Sequence, residues 1–256
     1  MVSSRMRRLL VLCVLAVSTL VFGLLAIAGC LLIPNGNPLV WCARPWAWTI
    51  LMASGAPVRV AGRGSIPAGP VLYVTNHQSH YDVLALIRAL PGQYRIIAKK
   101  ELFSIPVFGW ALALAGFVKI DRSDREKAFR SLDEAARRMA RGQSIVVFAE
   151  GTRSPDGRLL PFKKGGFVLA IASGRPIVPI SVSGSRAVLP KGGRSVRPGV
   201  IEVTIGDAVP TEGLTLEDRD HLMARVRAAV EAGFTPRHQL DFAREPGVGA
   251  ITATRV

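Results

Sequence analysis

Val71-Leu72-Tyr73-Val74-Thr75-Asn76-His77-Gln78-Ser79-His80-Tyr81-Asp82 decides how this 256-residue chain is read. The first four residues are apolar and β-type, which suits a buried strand. A polar turn follows, and residues 82–90 carry a helical pattern stopped by Pro91-Gly92. Strand, turn and helix in succession are the unit of a sheet covered by helices. Outward from this unit, 94–98, 117–120, 144–148, 177–181 and 200–205 read as further strands. Residues 165–172 read as a short helix or turn, and a helix capped by Thr215 runs to Gly233. Ser123 with Glu126 forms a capping-box pattern. It opens a helix whose Phe129, Leu132, Ala136 and Met139 share one face before Gly142 closes it. The expected fold is α/β, with a mixed, largely parallel central sheet flanked by helices.

Polar clusters at the carboxyl ends of two strands carry the chemistry, since open α/β sheets bind ligands there. In the first, His77 and Asp82 are five apart, about 140° around a regular helix. His77 therefore belongs in the turn and Asp82 in the first helical turn, folded back onto it. A carboxylate on one imidazole nitrogen fixes the tautomer and leaves the other nitrogen fit to take a proton from a hydroxyl. Asn76 is placed to hold the turn. A plainer reading has His77 and Ser79 capping the helix while Asp82 favours its positive end. A third makes His77, His80 and Asp82 metal ligands, disfavoured because no further ligand clusters with them. The second cluster is Phe148-Ala149-Glu150-Gly151-Thr152-Arg153-Ser154. Gly151 permits a tight turn, and Arg153 offers a planar fork suited to phosphate. Its plainer reading is a surface loop, because Ser154-Pro155-Asp156-Gly157 is itself a turn signal.

Asn76-His77-Gln78-Ser79-His80-Tyr81-Asp82 and Glu150-Gly151-Thr152-Arg153 resemble the first and third motifs of the glycerolipid acyltransferase family, the 1-acyl-glycerol-3-phosphate acyltransferases. The two lie in order, about seventy residues apart. Gly116-Phe117-Val118-Lys119-Ile120-Asp121-Arg122 resembles the second motif, and Ile177-Val178-Pro179-Ile180 the fourth. The resemblance covers 58–207, and it departs from the family at Ala149, where proline is usual. It implies His77 as general base, Asp82 as its orienting partner, and Arg153 with Lys100 as candidates for a substrate phosphate. Glu150, Gly151 and Thr152 are expected to position the glycerol, with Asn76, Asp121 and Arg122 bordering the substrate cleft. An ion pair supporting the sheet is an equal reading of Asp121 and Arg122. Leu102, Phe103, Ile105, Val107 and Phe108 either border an acyl groove or pack the core. The implied reaction moves a fatty acyl group from acyl-CoA or acyl-carrier protein to the sn-2 hydroxyl of lysophosphatidate, with no cofactor, no metal and no acyl-enzyme. Alternatives are acylation of another lyso-lipid and a non-catalytic lipid-binding membrane protein.

The amino-terminal segment adds the setting. Residues 9–33 carry no charge and would span about 37 Å as a helix, enough for a hydrocarbon core of about 30 Å. This run is too long for a typical signal peptide. Ile27-Ala28-Gly29-Cys30 also resembles a lipoprotein cleavage box, a short match of low specificity. Trp41, Trp46 and Trp48 suit an interfacial belt, and the uncharged stretch through residue 58 is too short to span. Arginines before Leu9 place the amino terminus in the cytoplasm. The body then lies outside if the first helix spans alone, and inside if a hairpin returns. The expected divisions are a membrane helix at 1–33, an interfacial or re-entrant segment at 34–57, a catalytic domain at 58–234 and a flexible tail at 235–256, at the cytoplasmic face of an inner membrane.

Composition excludes several classes. Nearly half the residues are apolar (49%) and 20% are charged, which excludes a disordered chain. All three cysteines lie in the first 42 residues, so no disulfide framework staples the body. The net charge of +15 fits an anionic membrane and anionic substrates. Nucleic acid is disfavoured because no binding motif is present and the tryptophans gather in the hydrophobic start. There is no G-x-x-x-x-G-K-[ST] sequence, which excludes a P-loop nucleotidase.

Overall fold

Seven strands, β1 (Val58–Ala61), β2 (Leu72–Thr75), β3 (Tyr94–Lys99), β4 (Val118–Ile120), β5 (Ser144–Phe148), β6 (Ile177–Ser183) and β7 (Ile201–Ile205), make one sheet in the order β1-β7-β6-β2-β5-β3-β4. These come from a computed structural model that describes residues 4–121 and 124–235. The five strands from β6 to β4 are parallel; β7 pairs antiparallel with β6, and β1 runs parallel to β7. The central strands β2, β5 and β6 are buried throughout, as strands covered on both faces must be.

Alternation along these strands sorts side chains into two cores. Tyr73, Val146, Phe148, Val178 and Ile180 face α2 (Asn37–Ser54) and α3 (Tyr81–Ala89). Leu72, Val74, Ile145, Val147 and Ile177 face α5 (Arg125–Ala140), α6 (Gly165–Ser173) and α8 (Arg219–Gly233). The helices left over are α1 (Ser4–Leu32), α4 (Phe108–Leu114) and the single turn α7 (Ser185–Val188).

The expected strands stand within two residues of their sequence positions, whereas β1 and α4 had no local signal strong enough to name them. Asp124, not Ser123, caps α5, its carboxylate accepting from Lys127 N at 3.1 Å. Ser123 itself lies outside the described residues, as do the Phe129 side chain and all of the expected tail beyond Thr235. Leu132, Ala136 and Met139 do share the buried face of α5. Thr215 forms its capping box with Asp218 and starts a short 3-10 turn into α8.

α1 and α2 lie antiparallel as a hairpin against α3 and α4. Gly29 lets the two helices touch: a Cβ there would stand 2.7 Å from Pro38 Cβ. The Trp46 indole N–H donates to Thr19 Oγ1 at 3.0 Å. A fully buried arginine fixes the hairpin turn to the body. Arg95 donates to the carbonyls of Ala115 (2.6 Å), Tyr94 (2.9 Å) and Asn35 (2.8 Å), so its charge is satisfied by dipoles instead of a carboxylate. The outer side of the hairpin exposes Leu9, Leu20, Leu24, Leu25, Trp41 and Trp48. Arg5–Leu32 is long and apolar enough to cross a membrane.

Candidate active site

The loops after β2 and β5 meet above the carboxyl edge of the sheet. Asp82 occupies the first turn of α3, where the helix N-terminus favours an anion. It is fully buried, and its Oδ2 accepts from Gln78 N at 2.6 Å, Ser79 N at 2.8 Å and His77 Nδ1 at 2.8 Å. Two backbone amides thus aim the carboxylate before the histidine uses it. The imidazole stacks on Phe148, ring centroids 4.0 Å apart, which fixes the remaining rotation. With Nδ1–H donating to Asp82, Nε2 is the nitrogen left to accept a proton. Among the described residues no serine, threonine or cysteine hydrogen-bonds the His77 ring.

Two of the residues expected at the substrate cleft are buried. Asn76 is fully buried, its Nδ2 donating to Val182 O at 2.9 Å and its Oδ1 accepting from Val182 N at 2.7 Å. It ties the carboxyl end of β2 to β6 through both polar atoms of its side chain. Glu150, 1% exposed, accepts from His77 N at 2.7 Å and Leu160 N at 3.0 Å through its two oxygens. It ties the loops after β2 and β5 together. Burial pushes its carboxyl up to about 7, helped by Asp82 and opposed by the two amide donors and Arg227.

Gly151 takes φ +70° at the turn, and Thr152 and Arg153 then stand at the surface end of the loop. Ser154 N donates to His77 O at 2.8 Å, locking the second loop over the first. The Arg153 charge reaches His80: desolvation, and then this cation, lower the basicity of that imidazole.

Lys100 follows β3 and Asp121 follows β4, and they bond each other at 2.7 Å. That bond, ahead of the surrounding carboxylates, raises the Lys100 pKa. Asp121 is thus ion-paired with Lys100, whose charge it compensates. Arg122 lies outside the described residues. Among the described residues no group of three His, Cys, Asp or Glu side chains is placed to hold a metal ion.

The structure adds a residue that sequence reasoning passed over. Lys191 Nζ stands 3.3 Å from Thr152 Oγ1, 39 positions away along the chain. Its only sequence signal is the Pro190-Lys191-Gly192-Gly193 turn. A partly open apolar cavity of about 70 Å³ lies where α1 to α4 meet β3, lined by Phe22, Leu39, Trp46, Ile87, Phe108 and Leu112. Val83 and Ile87 bring α3, the helix that carries Asp82, into its wall. Phe108 is thus both core and cavity wall, whereas Ile105 is exposed.

A family model described as acyltransferase matches residues 57–183. A 1-acyl-sn-glycerol-3-phosphate acyltransferase from Chlamydomonas reinhardtii is 36% identical over 190 residues, which is 72% of this chain and 56% of the relative. The chain thus spans little more than half of that relative's length. The human 1-acyl-sn-glycerol-3-phosphate acyltransferase alpha is 37% identical over 201 residues, 75% of this chain and 71% of the human protein. The crystal structure of the 1-acyl-sn-glycerophosphate (LPA) acyltransferase PlsC from Thermotoga maritima superposes with a TM-score of 0.74 at 27% identity, covering 90% of this chain and 97% of that one.

Proposed function

This chain belongs to the acyltransferase family that contains the 1-acyl-sn-glycerol-3-phosphate acyltransferases, and on that premise we propose that it acylates the sn-2 hydroxyl of lysophosphatidate to give phosphatidate. The observation that carries this reading is the 2.8 Å bond from His77 Nδ1 to an Asp82 carboxylate already aimed by two backbone amides. In this reaction His77 Nε2 takes the hydroxyl proton as the oxygen bonds the carbonyl carbon of an acyl thioester. The C–S bond then breaks, and the imidazolium returns its proton to the leaving thiolate. That no hydroxyl or thiol among the described residues bonds the His77 ring supports direct transfer without an acyl-enzyme. Arg153 draws the acceptor phosphate towards the site, and the apolar cavity beside α3 takes the acyl chain. Acyl-CoA or acyl-carrier protein is the donor substrate.

The hairpin of α1 and α2 seats the enzyme on the bilayer that holds its acceptor. Its exposed leucines and tryptophans face lipid, and the basic body lies at the cytoplasmic face of an inner membrane. Detergent-purified protein given palmitoyl-CoA or palmitoyl-carrier protein with lysophosphatidate is expected to release thiol and form phosphatidate, both followed by mass spectrometry. His77→Ala is expected to lower turnover roughly 10³-fold, the loss of a general base. Thiol release without phosphatidate would move the assignment to another acceptor. No thiol release from either donor would move it to a non-catalytic lipid-binding protein.

A further inference from the structure

Arg227 lies on α8 and belongs to none of the motifs that the sequence singles out. Its guanidinium is divided between two partners. Nε pairs with Glu231 Oε1 at 2.8 Å, one helical turn on, and Nη1 donates to Leu160 O at 2.8 Å, 67 positions back along the chain. The same group lies over the Phe162 ring, 5.3 Å from its centroid. A surface ion pair between residues four apart needs neither the carbonyl nor the ring. Glu231 instead orients the planar fork, and the other arm of the fork reaches off the helix into the loop after β5.

Leu160 is the next link. Its carbonyl accepts from Arg227, its amide donates to Glu150 Oε2 at 3.0 Å, and Pro161 restricts its backbone from the following side. Phe162 beneath the guanidinium is buried and stacks with Phe167 of α6, and Lys163 N donates to Ala149 O at 2.7 Å, closing the loop at its base. The other oxygen of Glu150 accepts from His77 N at 2.7 Å, and the His77 ring bonds Asp82. Hydrogen bonds thus run unbroken from Arg227 to the backbone of His77. Resting on the acyltransferase reading above, we propose that Arg227 is a positioning residue for the transfer step: by holding Leu160 it keeps both oxygens of Glu150 in register, and so fixes where His77 Nε2 meets the acceptor hydroxyl. It acts through Glu150 and not on the reacting atoms. A carboxylate accepts from both amides, whereas a protonated carboxyl turns one oxygen into a donor and releases one amide. Burial sets the Glu150 carboxyl at about 7 against the two amides, with Asp82 of α3 raising it further and Arg227 of α8 lowering it. Removal of the cation therefore leaves more Glu150 protonated at a given pH, and the His77 loop less firmly held on the acid side.

The test measures kcat and KM of detergent-purified wild type, Arg227→Met, Arg227→Gln and Arg227→Lys with palmitoyl-CoA and lysophosphatidate at pH 6 and pH 8, each also in a Glu150→Gln background. Arg227→Met keeps an aliphatic stem over Phe162 and is expected to lower kcat about tenfold with both KM values within twofold, since a misplaced base loses rate and not affinity. Its ratio of kcat at pH 6 to kcat at pH 8 is expected to be about twofold below that of wild type, from the lost cation. Arg227→Gln, the milder substitution should Arg227→Met not fold, keeps a donor for Leu160 without the charge and is expected to show the same change of ratio. Arg227→Lys keeps the charge and is expected to restore the ratio and most of kcat. In the Glu150→Gln background the effects of Arg227→Met and Arg227→Gln are expected to disappear, as they must for residues acting in series. An unchanged kcat, a loss carried by KM, or a loss that persists undiminished without the Glu150 carboxylate would overturn the proposal. A second readout needs no turnover: the Cε1 proton resonance of His77 in histidine-labelled protein, identified by its absence from His77→Ala. It is expected to shift or broaden in Arg227→Met and Arg227→Gln, and an unmoved resonance in both would overturn the relay. If that resonance responds but wild type forms no phosphatidate, the acyltransferase reading fails while the relay stands.

Discussion

The α1–α2 hairpin and the carboxyl edge of the sheet are stabilised in opposite ways. The hairpin presents Leu20, Leu24, Leu25, Trp41 and Trp48 outward and is joined by close packing at Gly29 and Pro38, with few polar fixings. At the edge, Asn76, Asp82 and Glu150 are buried polar groups, each held by two or three hydrogen bonds to the backbone or to His77. Apolar packing is non-directional and tolerates a change of surroundings from protein to lipid. Hydrogen bonds are directional, and a buried group that loses its partner keeps the full desolvation penalty. The hairpin can therefore adapt to a bilayer while the edge holds His77 to a fixed geometry. Damage to the two regions should be separable.

The largest effect that would sharpen this contrast is expected at Glu150. Its carboxyl is raised from 4.5 to about 7, by burial first and then Asp82, against the opposing amides and Arg227. A carboxyl raised on folding binds its proton more tightly in the native state, so native protein carries a proton that unfolded protein has lost between pH 4.5 and 7. Stability then falls as pH rises through that window, by roughly 3 kcal/mol for a shift of about 2.5 units. Denaturant unfolding of wild type at pH 5 and pH 8 should show this loss, and Glu150→Gln should lack that share of it, whatever its baseline stability. An identical pH slope in the two proteins would mean that Glu150 is not the buried acid of the edge.

This residue also marks the limit of what the chain reveals before it is folded. The strands β2 and β5 and the pairing of His77 with Asp82 were legible because the signals are local: apolar runs, a turn, and five residues from strand end to first helical turn. Asn76 and Glu150 sit inside equally visible motifs, yet their partners are Val182 and Leu160. A polar residue beside a site faces a ligand or a backbone amide according to packing that spacing does not encode. Arg95 and Lys191 were hidden for the same reason, with partners 60 and 39 positions away. Lys100 read as a phosphate ligand because a cation after a strand looks the same with or without Asp121 beside it.

A smaller effect tests the hairpin. A side chain at Gly29 would meet Pro38 at 2.7 Å, so Gly29→Leu forces α1 and α2 apart. Overpacking of this kind costs about 1–3 kcal/mol. A lower Tm in detergent is expected, with kcat/KM of the folded protein within twofold of wild type. A tenfold fall in kcat at unchanged substrate KM would break the contrast, because it would make hairpin packing part of how His77 is positioned.

The smallest effect concerns the ion pair of Lys100 and Asp121, which belongs to neither region's mode of stabilisation. The ammonium keeps 39% of its side-chain surface exposed and is bonded to a single carboxylate at 2.7 Å. Exposed pairs of this kind contribute little, because water screens the attraction and two flexible side chains must be ordered. Lys100→Met should therefore move Tm by about 1 °C or less and the KM for lysophosphatidate by less than twofold. A tenfold rise in that KM would show that compensation by Asp121 does not silence Lys100. The phosphoryl group would then be drawn by Lys100 in spite of its carboxylate partner, because a single screened bond leaves part of the ammonium's charge for a second anion.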